Sequence, residues 1–274
     1  MGHPVHWFLQ GSAMTNPPVI TLTTDFGHHD PYVGIMKGVI LSICPTARIV
    51  DLCHEVPPFN VDQGAFLVSQ SLGFFPPGTI HVVVVDPGVG GPRRALVAQG
   101  RSAFFVGPDN GVLAPLLEAD GQLVAHQIGV PDFLPARRSA TFHGRDVFAP
   151  AAAHLAMGKA PAAFGPRITD NLARPLPGAA QVTEGWRGMV LHIDRFGNLV
   201  TSLPEELVDR IRSVTLGHHT VYRARHYGDV LPGVAAFIPG SSGRIEVFVR
   251  DGSAAELLGA HVGGPVTAQQ VTAA

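Results

Sequence analysis

The chain has 274 residues, 46% of them hydrophobic and 15% charged, with a formal net charge of −2 at pH 7. That length can bury the core of one large or two modest domains, and the near-neutral balance leaves no electrostatic footprint for nucleic acid. No apolar run approaches the ~20 residues of a membrane span, because Asp, His, Arg, Gly or Pro interrupts every stretch.

The first residues, through Gly11-Ser12-Ala13-Met14, lack the basic start and long apolar core of a signal peptide. They read as an extension, with the fold starting near Val19. Residues 19–24 predict a strand that ends at Asp25-Phe26-Gly27. Residues 32–44 show helical spacing and stop before Pro45, 48–52 form a second strand, and 61–72 a second helix closed by Gly73. Cys44 and Cys53, the only cysteines, form no C-x-x-C pair, which points to a reducing cytoplasm. Residues 79–85 are the central strand, since branched side chains such as Val82-Val83-Val84-Val85 pack well on a buried pleated surface. Residues 95–98 and 104–106 add two more strands, and Pro108-Asp109-Asn110-Gly111 makes a turn. An alanine-rich helix over 146–157 ends at Gly158.

Strands alternating with helices predict an α/β domain over 19–170, with a central mixed sheet flanked by helices. The stretch 171–185, rich in proline, glycine and alanine, reads as a linker. Beyond it, 188–193, 213–216, 219–223, 234–238 and 244–249 are short strands with few helices between them. They predict a small all-β, barrel-like domain over 186–274.

Asp86 leaves the central strand just before Pro87-Gly88, where open α/β folds keep their ligands. Gly88-Val89-Gly90-Gly91 superficially evokes a dinucleotide loop, but Pro92-Arg93-Arg94 leads into another strand instead of a helix. These glycines read better as a turn that releases Asp86 and Arg93 from the sheet. His143, on a second loop flanked by Gly144, can meet that pair in space, and an Asp-Arg-His group can hold and polarise a water. The competing use of this loop is Asp146 as a helix cap with His143 packed locally. Asp25 can accept hydrogen bonds from both hydroxyls of a ribose, or cap the helix that follows. His28-His29-Asp30 and His218-His219 lack a third ligand at a readable spacing and read as surface loops, so no metal is expected. In Asp194-Arg195-Phe196-Gly197-Asn198, Asp194 and Asn198 can serve the ammonium and carboxylate of an amino acid while Phe196 packs on a base; a polar hairpin turn is the alternative.

Taken together, these runs resemble the S-adenosylmethionine (SAM) hydrolase family, the SAM hydroxide adenosyltransferases, related to the SAM-dependent fluorinases and chlorinases. The matching runs are Thr23-Thr24-Asp25-Phe26-Gly27, Pro57-Pro58-Phe59, Val85-Asp86-Pro87-Gly88-Val89-Gly90, Gly107-Pro108-Asp109-Asn110-Gly111 and Thr141-Phe142-His143-Gly144-Arg145-Asp146. Ile193-Asp194-Arg195-Phe196-Gly197-Asn198 and Ser241-Ser242-Gly243 carry the match into the second domain. Each run alone is weak; their shared order is specific.

The resemblance implies hydrolysis of SAM to adenosine and methionine without a metal or redox cofactor, since the sulfonium makes methionine a good leaving group. It places the catalytic group on Asp86, Arg93 and His143, and substrate contacts on Asp25, Phe59, Phe142, Gly144, Asp194, Phe196, Asn198, Ser241 and Glu246. It also implies a homotrimer with active sites between the first domain of one subunit and the second domain of its neighbour. The halogenase branch carries an aromatic residue where Asp86 stands and lacks the histidine at His143, so these positions favour water over halide. Arg250 departs from the pattern, standing where asparagine is more familiar. A SAM-dependent halogenase and a non-catalytic SAM or adenosine sensor are the rival readings. Chloride-dependent formation of a 5′-halo-adenosine, or binding without turnover, would identify them.

Overall fold

The computed structural model describes residues 16–116, 124–136, 138–171 and 174–271; the extension expected through Met14 lies outside them. The chain divides into two units, Met1–Arg174 and Pro175–Ala274.

Among the described residues of the first unit, seven strands form one sheet: β1 (Val19–Thr24), β2 (Arg48–Cys53), β3 (Ile80–Val84), β4 (Ala95–Gln99), β5 (Phe104–Pro108), β6 (Val124–Gln127) and β7 (Arg167–Ile168). Their order is β2-β1-β3-β5-β4-β6-β7. The first four in that order run parallel, and β4, β6 and β7 each run antiparallel to the strand before them. Every residue of β3 is buried, as a central parallel strand covered on both faces requires. Its one polar side chain, His81, bonds Thr21 Oγ1 through Nδ1 at 2.8 Å and stacks on Phe105.

The helices α1 (Tyr32–Ile43), α2 (Val61–Ser69) and α3 (Ala149–Ala156) accompany the sheet. Val33, Met36 and Ile40 of α1 share one core with Ala149, Ala151, Ala152 and Ala153 of α3 and with Ile20, Leu22, Val82 and Val84 of the sheet. The helix expected from residue 146 starts differently. Residues Gly144–Phe148 form a π turn in which the Ala149 N–H donates to the carbonyl of Gly144, five residues back. Pro150 has no N–H to give, and its ring would meet the carbonyl four residues earlier; the wider turn relieves both problems.

The second unit holds β8 (Ala180–Val182), β9 (Gly185–Ile193), β10 (Leu199–Pro204), β11 (Ile211–Leu216), β12 (His219–Arg223), β13 (Ala235–Pro239), β14 (Arg244–Val249) and β15 (Pro265–Gln270), with a short helix α4 (Ala254–Leu258). The order is β10-β14-β13-β12-β11-β15-β9-β8, and a further β10–β9 pairing closes seven of these strands into a barrel. Closure removes the free edges that an open sheet of short strands would expose. The barrel encloses Trp186, Val190, Leu199, Phe237, Ile245 and Val247. Strand β8 pairs with β9 inside the stretch that the sequence presents as linker. Among the described residues, no helix is long and apolar enough to cross a membrane.

Candidate active site

Strands β1 and β3 are parallel neighbours with Thr24 opposite Val84, so Asp25 and Asp86 leave the same end of the sheet. Asp25 Oδ2 accepts the Phe59 N–H at 2.9 Å. Phe59 adopts φ 65°, in the left-handed region that is costly for a bulky residue. In that conformation its amide meets the carboxylate and the residue is 72% exposed. Burial raises the Asp25 carboxyl above its ordinary value against the pull of that hydrogen bond, and the charge of Asp86 adds to the rise.

After Asp86 the chain turns through Pro87 and Gly88 and returns to the sheet at Ala95. Gly90 makes this possible: at φ 76°, a Cβ there would lie 2.2 Å from the carbonyl oxygen of Ala140. The Gly90 turn therefore abuts the segment that leads to His143. The Arg93 side chain folds back onto Asp86, with Nε donating to Oδ1 at 2.9 Å and Nη2 donating to Oδ2. The same Nη2 lies 2.7 Å from His143 Nδ1. Both members of the ion pair are nearly out of solvent, at 5% exposure for Asp86 and 10% for Arg93.

A guanidinium has no acceptor, so His143 Nδ1 must accept, and the neutral ring carries its proton on Nε2. Burial holds the imidazole below its ordinary range and the charge of Arg93 pushes the same way, against Asp86 and Asp146. His143 is thus a neutral donor whose tautomer Arg93 fixes.

Phe142, Phe26 and Tyr32 meet edge to face, with ring centroids 5.2 to 5.9 Å apart. Gly144 sits behind them: a Cβ there would lie 3.1 Å from Met36 Sδ and 3.2 Å from the Phe26 and Phe142 rings. Arg145 lies over the Phe142 ring, 5.2 Å from its centroid, and pairs with Asp146 at 2.6 and 2.9 Å. Asp146 also accepts the Ser139 N–H at 2.7 Å, so it ties down the loop before the helix instead of capping the helix. The result is a cavity of about 600 Å³ in which Asp25, Phe59, Asp86, Phe142, His143 and Gly144 all take part. Arg93 reaches it through Asp86 and His143. Sequence reasoning gave Tyr32 no part in this cavity; its only signal was its place at the helix start after the Asp25 loop.

The second unit has its own cavity, about 780 Å³, lined among others by Asp194, Phe196, Asn198, Ser241 and Glu246. Asp194 Oδ1 accepts the N–H groups of Phe196 at 2.8 Å and Asn198 at 2.9 Å, and Oδ2 accepts Asn198 Nδ2 at 3.0 Å. The polar hairpin and the cavity wall are therefore one object, with the Phe196 ring 76% exposed on it. Glu246, 7% exposed, accepts the Tyr227 hydroxyl at 2.6 Å, a partner that sequence reasoning missed. Burial raises the Glu246 carboxyl, and burial together with Glu246 raises the Tyr227 hydroxyl. Arg250 Nη1 donates to the Val230 carbonyl at 2.8 Å, which ties it to the neighbouring loop. Among the described residues, no group of three or more His, Cys, Asp or Glu side chains is placed to hold a metal ion.

A (R)-S-adenosyl-L-methionine hydrolase of Thermus thermophilus is 43% identical to this chain over 259 residues, covering 91% of this chain and 98% of that protein. One of the same name from Salinispora arenicola is 41% identical over 249 residues, covering 89% and 95%. A crystal structure of an uncharacterized conserved protein from Thermotoga maritima superposes with a TM-score of 0.85 at 35% identity, covering 91% of this chain and 99% of that one. The sequence profiles of the SAM hydroxide adenosyltransferase N-terminal and C-terminal domains match residues 20–165 and 188–267, and the chain belongs to that family.

Proposed function

We propose that this chain hydrolyses S-adenosyl-L-methionine to adenosine and L-methionine by in-line attack of water on ribose C5′. The observation that carries this reading is the position of Arg93, bonded to Asp86 and to His143 at once beside the cavity that also holds Asp25. The shared name of the relatives supports the choice of substrate.

In this reading the water oxygen forms the C5′–O bond as the C5′–S bond breaks, and the bonding pair moves to sulfur. The sulfonium becomes the neutral thioether of methionine, and one water proton is released. Asp86 accepts that proton, using a carboxylate lone pair that Arg93 does not occupy. His143, with Nδ1 taken up by Arg93, donates its Nε2–H to the water and orients it. Asp25 receives the ribose diol. Such positioning in a closed site contributes up to about 7–11 kcal/mol in favourable cases. The sulfonium is itself the activated leaving group, so the reaction as written calls on no metal or redox cofactor.

The second unit supplies the rest of the site in this reading. Asp194, Asn198 and Ser241 hold the methionine end or the base, with Phe196 and Glu246 beside them, and they come from the neighbouring subunit of a homotrimer. Two open cavities, each with a phenylalanine ring exposed on it, support this division. Two free cysteines fit a cytoplasmic setting.

The test is incubation of the pure protein with SAM in ¹⁸O-labelled water. Adenosine carrying the label on its 5′-oxygen is expected; methylthioadenosine, a chloride-dependent 5′-halo-adenosine, or binding without turnover would each reject the proposal. For the shared site, His143→Ala subunits mixed with Asp194→Ala/Asn198→Ala subunits, assayed at SAM far below KM, should show more activity than either variant alone. A monomer in solution scattering would refute it.

A further inference from the structure

The turn Gly107-Pro108-Asp109-Asn110-Gly111 has no part in the mechanism above, and neither Asp109 nor Asn110 lines the cavity. Yet the turn is bonded to both ends of the loop that carries the ion pair. At one end, Asn110 Nδ2 donates to the carbonyl of Val85, the residue just before Asp86, at 2.8 Å. At the other, Arg94, the residue just after Arg93, donates from Nε to Asp109 Oδ2 at 2.8 Å, and its carbonyl accepts the Asp109 N–H at 2.9 Å.

These contacts are specific in direction. Asn110 Oδ1 accepts the Val112 N–H at 3.1 Å, which closes the turn and leaves the amide nitrogen facing Val85. The Asp109 side chain is only 4% exposed. Arg94 is held again on its outer side by the carboxylate of Asp170 at 2.7 Å and its carbonyl at 2.9 Å. Between the two anchors the loop contains Pro87, Gly88, Gly90, Gly91 and Pro92. Glycines leave a backbone many alternatives, and the loop's own backbone is held by only two turn bonds, Val89 N–H to the Asp86 carbonyl at 3.2 Å and Gly91 N–H to the Gly88 carbonyl at 3.0 Å. The anchors at its ends therefore add to what the Asp86–Arg93 pair itself fixes.

We propose that Asp109 and Asn110 are positioning residues that set the Asp86–Arg93 geometry by clamping the two ends of its loop. The activity part of the test rests on the hydrolase reading. A displacement of about 1 Å in a reacting group costs on the order of 10²-fold in rate, so a clamp of this kind has a measurable effect.

Asn110→Asp isolates the claim, because it keeps the oxygen that closes the turn on Val112 and replaces the donor to Val85 with an acceptor. Its kcat for SAM hydrolysis should fall about 10- to 100-fold while the Kd for SAM stays within about threefold of native. The Arg93 Nε–H resonance in ¹⁵N spectra should shift or broaden. A role confined to the turn predicts instead that Asn110→Asp restores what Asn110→Ala loses. Native kcat together with an unmoved Arg93 resonance in Asn110→Asp would overturn the proposal. Should that variant fail to fold, Asp109→Asn tests the other end with the same readouts. If the native protein does not turn SAM over, the hydrolase reading fails, and the Arg93 resonance alone still decides the positioning claim.

Discussion

In the first unit the acids of the cavity are held by partners far along the chain. Asp25 takes the Phe59 N–H, 34 positions away, and Asp86 is tied through Arg93 to His143, 50 positions beyond that arginine. In the second unit Asp194 is held by its own turn, with partners two and four positions on. The first arrangement exists only when the whole sheet and its loops are in place; the second needs little more than one hairpin. Chemistry at a reacting centre requires the former, because orientation there must be fixed from several directions. A face that recognises a substrate can be built by the latter.

The largest effects should therefore come from the long-range group. Asp86→Ala, Arg93→Ala and His143→Ala should each lower kcat by roughly 10²–10⁴-fold, with SAM binding much less affected. Near-native rates in all three would erase the contrast between the units.

A second test asks whether the first unit's dependence on its complete sheet shows in stability. Burial holds His81 in β3 at a pKa of about 4, below the ordinary 6.5. The unfolded chain therefore takes up the proton first as the pH falls. The contribution is complete above about pH 6.5 and is lost between there and about pH 4. Urea unfolding at pH 4.5 should show the native protein about 2–3 kcal/mol less stable than at pH 7 from this residue alone. His81→Gln should lose correspondingly less on acidification, and an equal loss in both proteins would count against it.

Asp25→Ala comes next. A carboxylate gripping a diol contributes about 1.5–3 kcal/mol per charge-assisted hydrogen bond. The native enzyme should react poorly with 2′-deoxy SAM, and Asp25→Ala should lose most of that discrimination. Undiminished selectivity in the variant would place the ribose elsewhere.

The smallest effect is expected in the second unit. Asn198→Ala should raise KM about tenfold, or ~1.4 kcal/mol, and leave kcat near native. A collapse of kcat as deep as that of His143→Ala would mean that the local hairpin takes part in the chemistry.

Much of this was legible in the sequence where burial is continuous. Strand β1, the Val82-Val83-Val84-Val85 run and the start of α1 were readable because near-uniform apolar or amphipathic patterns dictate them. The last two strands of the sheet, β6 and the edge strand β7, were not: one is four residues long with His126 inside it and the other is only two residues long. In the barrel, β15 starts at a proline and buries only Val266 and Ala268 between polar neighbours, too weak an alternation to stand out. The π turn at Gly144–Phe148 follows from packing around Pro150, not from propensity. For the site, residue types and order pointed to Asp86, Arg93 and His143. That one guanidinium nitrogen faces both the acid and the imidazole is a matter of side-chain geometry that spacing does not reveal.

Arg93 also fixes the electrostatics of turnover. Its charge is matched by Asp86, and His143 is neutral, so the three together carry no net charge. Among the described residues Asp25 has no cationic partner, so when ionised it leaves the cavity with one unbalanced negative charge, which burial and Asp86 disfavour. In the proposed reaction, a substrate with a sulfonium at C5′ would offset that charge on arrival. The products carry no charge there, since methionine's sulfur and the 5′-hydroxyl are both neutral, but the proton that Asp86 accepts in the proposed step leaves the Asp86–Arg93–His143 group with that same positive charge. The charge that the substrate would bring thus stays in the site as a proton, and the carboxylate of Asp25 is left unmatched again only when Asp86 gives that proton up to solvent.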